Sequence, residues 1–332
     1  MKRIAVIGAG GWGTALAIIA ARNTDGVSLW SNNSQVIEAI KSTGENSLYL
    51  PGIGIPASVK VTHSVQDAIG DARMVITAVP SQVHRSVFKR IAPFLTQEMV
   101  IVSATKGIEN DSLMRISEIV RAELSDRFTP AFAALSGPTF SMEVAKEHPT
   151  AAVVASANIE CAEQVQKALS TPTLRLYTNS DLIGVELCGA VKNIIALAAG
   201  MASGLGYGNN SIAAVVTRGM AEIARLVIAK GGRAETVAGL AGVGDLMLTC
   251  FGSLSRNRHV GVELGKGRSL EDITGDMREI AEGISTTKAA AELAGRTGIE
   301  MPIIEKVHEV LYQGLSPRNG MRSLMERPLK GE

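Results

Sequence analysis

The sequence predicts an α/β chain: a doubly wound, mostly parallel sheet in the N-terminal half, followed by an all-helical C-terminal region. Three observations carry this reading. Short β-branched apolar runs alternate with segments of helical length as far as about residue 180. A glycine turn of the form G-x-G-x-x-G closes the first of those runs. Beyond Asn179-Ser180-Asp181 no β-rich run follows, and apolar residues recur at helical spacing to the C-terminus. The expected domains are therefore residues 1–180 and 181–332. With 332 residues, 46% hydrophobic and 20% charged, the chain can bury two substantial cores.

The run Lys2–Ile7 is the first expected strand. It enters Gly8-Ala9-Gly10-Gly11-Trp12-Gly13, then an Ala/Leu-rich helix over Thr14–Ala21 and a second strand at Val27–Trp30. Strand, glycine turn, helix and strand make a Rossmann-type dinucleotide-binding unit. Gly8 allows the tight turn, Gly10 lets the backbone approach a pyrophosphate, and Gly13 lets the helix pack close to the strand. The helix N-terminus offers free N–H groups to phosphate. Lys2-Arg3 before apolar residues also resembles the start of a signal peptide, but glycines interrupt the apolar core and no cleavage site follows. The same glycines make the segment too short and broken for a membrane span. After Trp30 comes Ser31-Asn32-Asn33-Ser34, with no carboxylate before Glu38 and no arginine, so a ribose 2′-phosphate is neither repelled nor gripped.

Further along, Ser34 is expected to cap a helix over Gln35–Lys41, and Ser47–Pro56 reads as loop. Strands are expected at Arg73–Val79, Met99–Ala104, Ala131–Leu135, Thr150–Ser156 and Leu174–Thr178. Helices are expected at Val83–Leu95, Asp111–Leu124 and Glu160–Leu169. The strand ending at Ala104 delivers Lys106 to the carboxyl edge of the sheet, where ligands of open α/β sheets sit. Lys106 is therefore either a substrate-facing cation or a surface lysine. Thr139, after Ser136-Gly137-Pro138, either caps the next helix or faces a ligand.

In the helical region, Leu182–Met201 is almost wholly apolar or small, and Lys192 is its only basic residue. Burying a lone ammonium is costly unless it is paired. Lys192 either snorkels to the surface or serves as a catalytic lysine. Gly204–Gly208 reads as loop, and Ser211–Lys230 as helix. Asp245 follows a glycine-rich stretch and can be read as a helix N-cap. Ser255-Arg256-Asn257-Arg258 suits a phosphate, though an exposed helix start looks similar. Glu282-Gly283 precedes an expected helix start at Ser285, Pro302 opens a helix to about Gln313, and Arg322–Glu332 reads as a polar tail.

A formal net charge of +1 argues against a nucleic-acid footprint, while a small anionic substrate needs only a local basic site. The cysteines Cys161, Cys188 and Cys250 are odd in number and far apart, which suits reduced thiols in a cytoplasm and no metal cage.

Six motifs in order resemble the bacterial-type NAD(P)-dependent glycerol-3-phosphate dehydrogenases, over essentially the whole chain. They are Gly8–Thr14, Ala104–Gly107, Ser136–Phe140, Gly189–Asn193, Gly244–Leu246 and Ser255–Asn257. The resemblance implies interconversion of dihydroxyacetone phosphate and sn-glycerol 3-phosphate with NAD or NADP and no metal, supplying glycerol phosphate for phospholipid synthesis. It implies Lys192 as catalytic acid/base and substrate contacts from Lys106, Gly137, Thr139, Lys192, Asp245, Ser255, Arg256 and Asn257. It implies cofactor contacts from Gly11, Trp12, Lys106, Ser141, Arg256, Ile280 and Glu282, beside Gly8, Gly10 and Gly13 of the turn. Many relatives carry a basic residue where this chain has Asn32, which leaves the choice between NADH and NADPH open. A cytoplasmic homodimer with no integral membrane segment is expected. Two rivals stand beside this: another two-domain hydroxy-acid dehydrogenase, and a dinucleotide sensor without turnover. The Arg256-Asn257 pair favours a phosphorylated substrate over the first, and a lysine in an apolar helix argues against the second.

Overall fold

The computed structural model describes residues 3–279, 281–329 and 331. The chain divides into two compact units: residues 1–106 with 114–185, and residues 107–113 with 186–332. The expected boundary at residue 180 thus meets a division inside a helix, and a short piece of the N-terminal half belongs with the second unit.

The first unit is built on an eight-stranded sheet: β1 (Arg3–Ile7), β2 (Val27–Trp30), β3 (Val59–Thr62), β4 (Ala72–Thr77), β5 (Val100–Ser103), β6 (Ala131–Ser136), β7 (Thr150–Ala155) and β8 (Leu174–Asn179). Their order across the sheet is β3-β2-β1-β4-β5-β6-β7-β8. Every pairing is parallel except β6 with β7. The order reverses between β1 and β4, the switch point at which such sheets bind ligands. The helices are α1 (Gly11–Ala20), α2 (Ser34–Thr43), α3 (Val65–Ile69), α4 (Ser81–Ile91), α5 (Ile116–Leu124), α6 (Ser141–Ala145) and α7 (Ile159–Leu169). Alternation within β1 explains the two layers: Ile4 and Val6 enter one core with Leu16 and Val165, while Ala5 and Ile7 enter another with Phe88 and Ile119. Each fully buried Ile or Leu in these layers contributes roughly 1.5–3 kcal/mol.

Several local expectations change. The side chain of Asn33, not Ser34, caps α2 by accepting from Gln35 N. β3 and α3 lie where no element was expected. β3 is an edge strand of only four residues, with Lys60 exposed between Val59 and Val61, so it leaves little apolar signal. The helix expected from Asp111 begins at Ile116 instead. Leu113 has φ +59°, outside helical geometry, and Glu118 accepts a hydrogen bond from Arg115 N at 2.8 Å to start α5.

The second unit's regular elements among the described residues are helical: α8 (Leu182–Gly204, begun in the first unit), α9 (Asn209–Ala229), α10 (Ala234–Val237), a π turn (Leu240–Gly244), α11 (Asp245–Phe251), α12 (Arg256–Gly265), α13 (Leu270–Gly275), α14 (Glu282–Thr297), α15 (Pro302–Tyr312) and α16 (Pro317–Met325). Residues 187–202 of α8 are all buried, as for a helix surrounded by others. α8 is long and apolar enough to cross a membrane, and so is Ala234–Phe251; of their most apolar windows 83% and 44% lie buried within the protein. α14 starts at Glu282 rather than Ser285. The expected polar tail begins inside α16, whose last residues are Arg322–Met325; Ser316 caps that helix and Pro317 opens it.

Candidate active site

In the first unit the glycine turn joins β1 to α1. Gly8 has φ +114°, and a Cβ there would lie 2.5 Å from Ala78 O at the end of β4. A Cβ on Gly13 would lie 1.8 Å from Gly8 O, so the helix docks on the turn itself. A Cβ on Gly10 would meet nothing within 4 Å, which is the open cradle a pyrophosphate requires. The first bond of the helix runs from Thr14 N to Gly10 O at 2.9 Å, leaving the N–H groups of Gly11, Trp12 and Gly13 for a ligand. The Trp12 Nε1 is buried and meets no partner among the described residues. The turn therefore fits a dinucleotide. Asn32 is exposed beyond β2, next to the Asn33 cap.

Next along the carboxyl edge, Thr105 Oγ1 donates to Val79 O at 2.8 Å, and Lys106 Nζ donates to Gly137 O at 2.9 Å. Gly137 has φ +131° and sits against the Ala152 backbone, so a side chain there is strained. Thr139 does not cap the following helix; its hydroxyl donates to Gly137 O at 3.1 Å. Phe140 is the residue preceding α6, and Ser141 opens that helix, which packs on α1 through Met142 and Ala145. The sheet thus brings Gly8, Lys106, Gly137 and Thr139 to one rim.

In the second unit Lys192 is 5% exposed and Asp245 1%. Lys192 Nζ lies 3.0 Å from Asp245 Oδ1 and donates to Thr249 Oγ1 at 2.6 Å. The Thr249 hydroxyl in turn donates to the Asp245 backbone carbonyl at 2.6 Å. Lys192 is therefore a buried, paired ammonium, and the snorkelling alternative fails. Asp245 is not an N-cap: the π turn runs straight into α11, and its carboxylate faces the lysine. Burial pushes the neighbouring Cys250 thiol up to about 12, against the pull of Lys192, so it stays protonated at neutral pH.

Ser255 caps α12, its hydroxyl accepting from Arg258 N at 3.2 Å. Arg256, half exposed, pairs with Glu279 at 2.9 Å. Asn257 is buried, donates to Asn193 Oδ1 at 3.0 Å and accepts from Gly283 N at 2.9 Å. Glu282 opens α14, while Ile280 lies outside the described residues. Three supporting residues escaped the sequence reading, Thr249, Glu279 and Asn46, and Asn193 entered it only as the end of the motif Gly189–Asn193. Asn46 is wholly buried and donates to both Ala9 O (2.9 Å) and Thr14 Oγ1 (2.8 Å), bracing the glycine turn. Only the four-residue spacing of Asp245 and Thr249 on one helix face was visible as a signal.

Sheet, switch point and glycine cradle together define the class of dinucleotide-binding proteins with a helical second unit. Family models for the NAD-dependent glycerol-3-phosphate dehydrogenase N-terminus and C-terminus match residues 3–162 and 181–322. A glycerol-3-phosphate dehydrogenase [NAD(P)+] of Koribacter versatilis is 52% identical over 330 residues, covering 99% of this chain and 98% of the relative. One from Citrifermentans bemidjiense is 48% identical, covering 100% and 99%. The crystal structure of glycerol-3-phosphate dehydrogenase from Coxiella burnetii is similar with a TM-score of 0.93 and 38% identity, covering 98% of this chain and 99% of that one. The chain belongs to the NAD-dependent glycerol-3-phosphate dehydrogenase family.

Proposed function

We propose that this protein reduces dihydroxyacetone phosphate reversibly to sn-glycerol 3-phosphate with NADH or NADPH. The observation that carries the reading is the buried lysine held at 3.0 Å by a carboxylate and at 2.6 Å by a threonine hydroxyl. A structural core has no need of such a pair, because an apolar replacement of similar volume is usually at least as stable. A ketone reduction does need it.

Nicotinamide, when bound, supplies the hydride to C2 of the substrate. The residues of the glycine turn bind the dinucleotide phosphates through the α1 N–H groups, and Trp12 is a further cofactor contact. Ser141 and Glu282 are the further cofactor contacts. Lys192 carries the proton. Its ammonium donates a proton to the C2 oxygen as negative charge develops there, and in the oxidising direction the neutral amine takes that proton back. The Asp245 carboxylate balances the ammonium charge, and Thr249 narrows the directions its N–H bonds can take. Arg256 exchanges its half-buried Glu279 partner for the substrate phosphate, with the N-terminal amides of α12 alongside. Binding energy from the phosphate then orients C2 for reaction. Lys106, Gly137 and Thr139 supply polar contacts to the remaining oxygens. We place the enzyme in the cytoplasm, as a homodimer supplying glycerol phosphate to phospholipid synthesis.

The test is oxidation of NADH and NADPH with dihydroxyacetone phosphate, unphosphorylated dihydroxyacetone and a set of 2-keto acids. Turnover is expected chiefly with the phosphorylated ketone. A preference for a 2-keto acid, or cofactor binding without turnover of any of them, would refute the reading.

A further inference from the structure

Helices α8 and α12 are in contact along a seam whose pairs share one offset. Asn193 bonds to Asn257, 64 residues on. Gly261 packs against Leu197 O and Gly265 against Met201 O, which repeat the same offset, so the two helices run parallel. The approach is closer than the ~8–10 Å between the axes of ordinary helix pairs. A Cβ on Gly200 would lie 2.3 Å from Arg258 O, one on Gly204 2.1 Å from Val262 O, and one on Gly261 2.2 Å from Leu197 O. These neighbours are backbone atoms of the facing helix and have no rotamer by which to move aside. Lys192 and Arg256 each directly precede a member of the Asn193–Asn257 bond, at the same end of the seam.

We propose that this glycine seam is a ruler. It fixes the separation between the proton donor on α8 and the phosphate anchor on α12, and so selects substrates by the length of chain between carbonyl and phosphate. The proposal rests on the function given above and deepens it. A ketone and a phosphate joined by a short chain can engage both groups only if the two helix faces are held at one distance. Four glycines and one Asn–Asn bond hold it without any side chain that could repack. Gly200 and Gly261 are thereby positioning residues: they touch no substrate and act through the backbone that carries Lys192 and Arg256.

Steady-state kinetics on four proteins test this. In Gly261→Ala the new methyl must push α12 away from Leu197 O. The KM for dihydroxyacetone phosphate is expected to rise at least 10-fold, while kcat/KM for unphosphorylated dihydroxyacetone stays within twofold. A phosphorylated ketone with one more carbon between carbonyl and phosphate is expected to lose less than dihydroxyacetone phosphate does. Gly265→Ala crowds the same seam less severely, its Cβ meeting Met201 O at 2.5 Å, and serves if the Gly261 variant does not fold; the same split is expected. Gly219→Ala is the stability control, because the atoms nearest its Cβ belong to the Ile195 side chain, at 2.5 Å, and not to the backbone of α12. Its KM values are expected to stay within twofold of the parent, whatever its melting temperature. Equal losses on phosphorylated and unphosphorylated ketones would overturn the ruler, as would an equal KM change in Gly219→Ala. If the unsubstituted protein ignores dihydroxyacetone phosphate, the functional reading fails first and the ruler with it.

Discussion

Lys192 was the residue whose meaning the sequence left divided, because a lone lysine in an apolar helix has two physical outcomes. What decides between them is Asp245, 53 positions away, which no local pattern ties to it. The pairing also changes what a substitution does. Lys192→Met is expected to lower kcat by about 10²- to 10⁴-fold, the usual contribution of general acid–base catalysis. It also leaves the Asp245 carboxylate buried and uncompensated, at a cost of about 3–5 kcal/mol. The double variant Lys192→Met, Asp245→Asn is therefore expected to recover most of the stability and none of the activity. Urea unfolding and steady-state kinetics on the three proteins check this; recovery of kcat in the double variant would refute Lys192 as proton donor. Cofactor choice is a second single-residue matter. Asn32 is exposed and neutral, so a charge-assisted contact of about 1.5–3 kcal/mol to a 2′-phosphate is missing. Discrimination between NADH and NADPH is expected to stay under about 100-fold in kcat/KM. A preference above about 1,000-fold, roughly 4 kcal/mol, in either direction would contradict it.

Elements were legible where periodicity or turn chemistry is local and strong. β1, the glycine turn and α1 follow from a strand signal, three glycines and an Ala-rich segment in one short stretch. β3 and α16 were not legible, since one is a short edge strand with an exposed lysine and the other a largely exposed polar helix. Least visible of all was how helices are capped from afar. Glu222, on α9 and 1% exposed, accepts from Ile303 N (2.7 Å) and Ile304 N (3.2 Å) at the start of α15. Pro302 has no N–H to offer, so Glu222 satisfies the next two donors of that helix. Burial nevertheless dominates and raises the Glu222 carboxyl from 4.5 to about 7, the two backbone bonds opposing the rise. Its folded form binds the proton more tightly than the unfolded chain does. The associated stability is therefore full below pH 4.5 and is lost as pH rises to about 7, by roughly 3 kcal/mol in all. Glu222→Gln removes this titration. Relative to the glutamine variant, the parent is expected to lose stability between pH 5 and pH 7.5, as urea midpoints at the two values will show. A constant difference between the two proteins would mean that Glu222 titrates as an ordinary carboxylate.

At the scale of the whole chain, the change from strand-and-helix alternation to helix alone was readable, because sheet and helix periods differ over long windows. The end of the sheet region was placed to within a few residues, but residues 107–113 were not expected to belong to the helical unit. Seven residues without periodicity carry no sign of which core they join. The two units also give the proposed roles a separable test. A ligand that binds only the folded form stabilises it by mass action, about 2.7 kcal/mol at 100 times its Kd. If the glycine turn holds the cofactor, NADH alone should slow amide exchange at Gly11, Trp12 and Gly13, whose N–H groups lack helical partners. If α12 holds the phosphate, glycerol 3-phosphate should slow exchange at Arg256 and Asn257, at the N-terminus of that helix. The two helix N-termini should respond separately when each ligand is added singly at low occupancy. Hydrogen exchange followed by mass spectrometry, on the protein alone and with each ligand, reads both regions at once. Protection of α12 by NADH alone, with the α1 N-terminus unchanged, would overturn the assignment of the cofactor to the glycine turn and of the phosphate to α12.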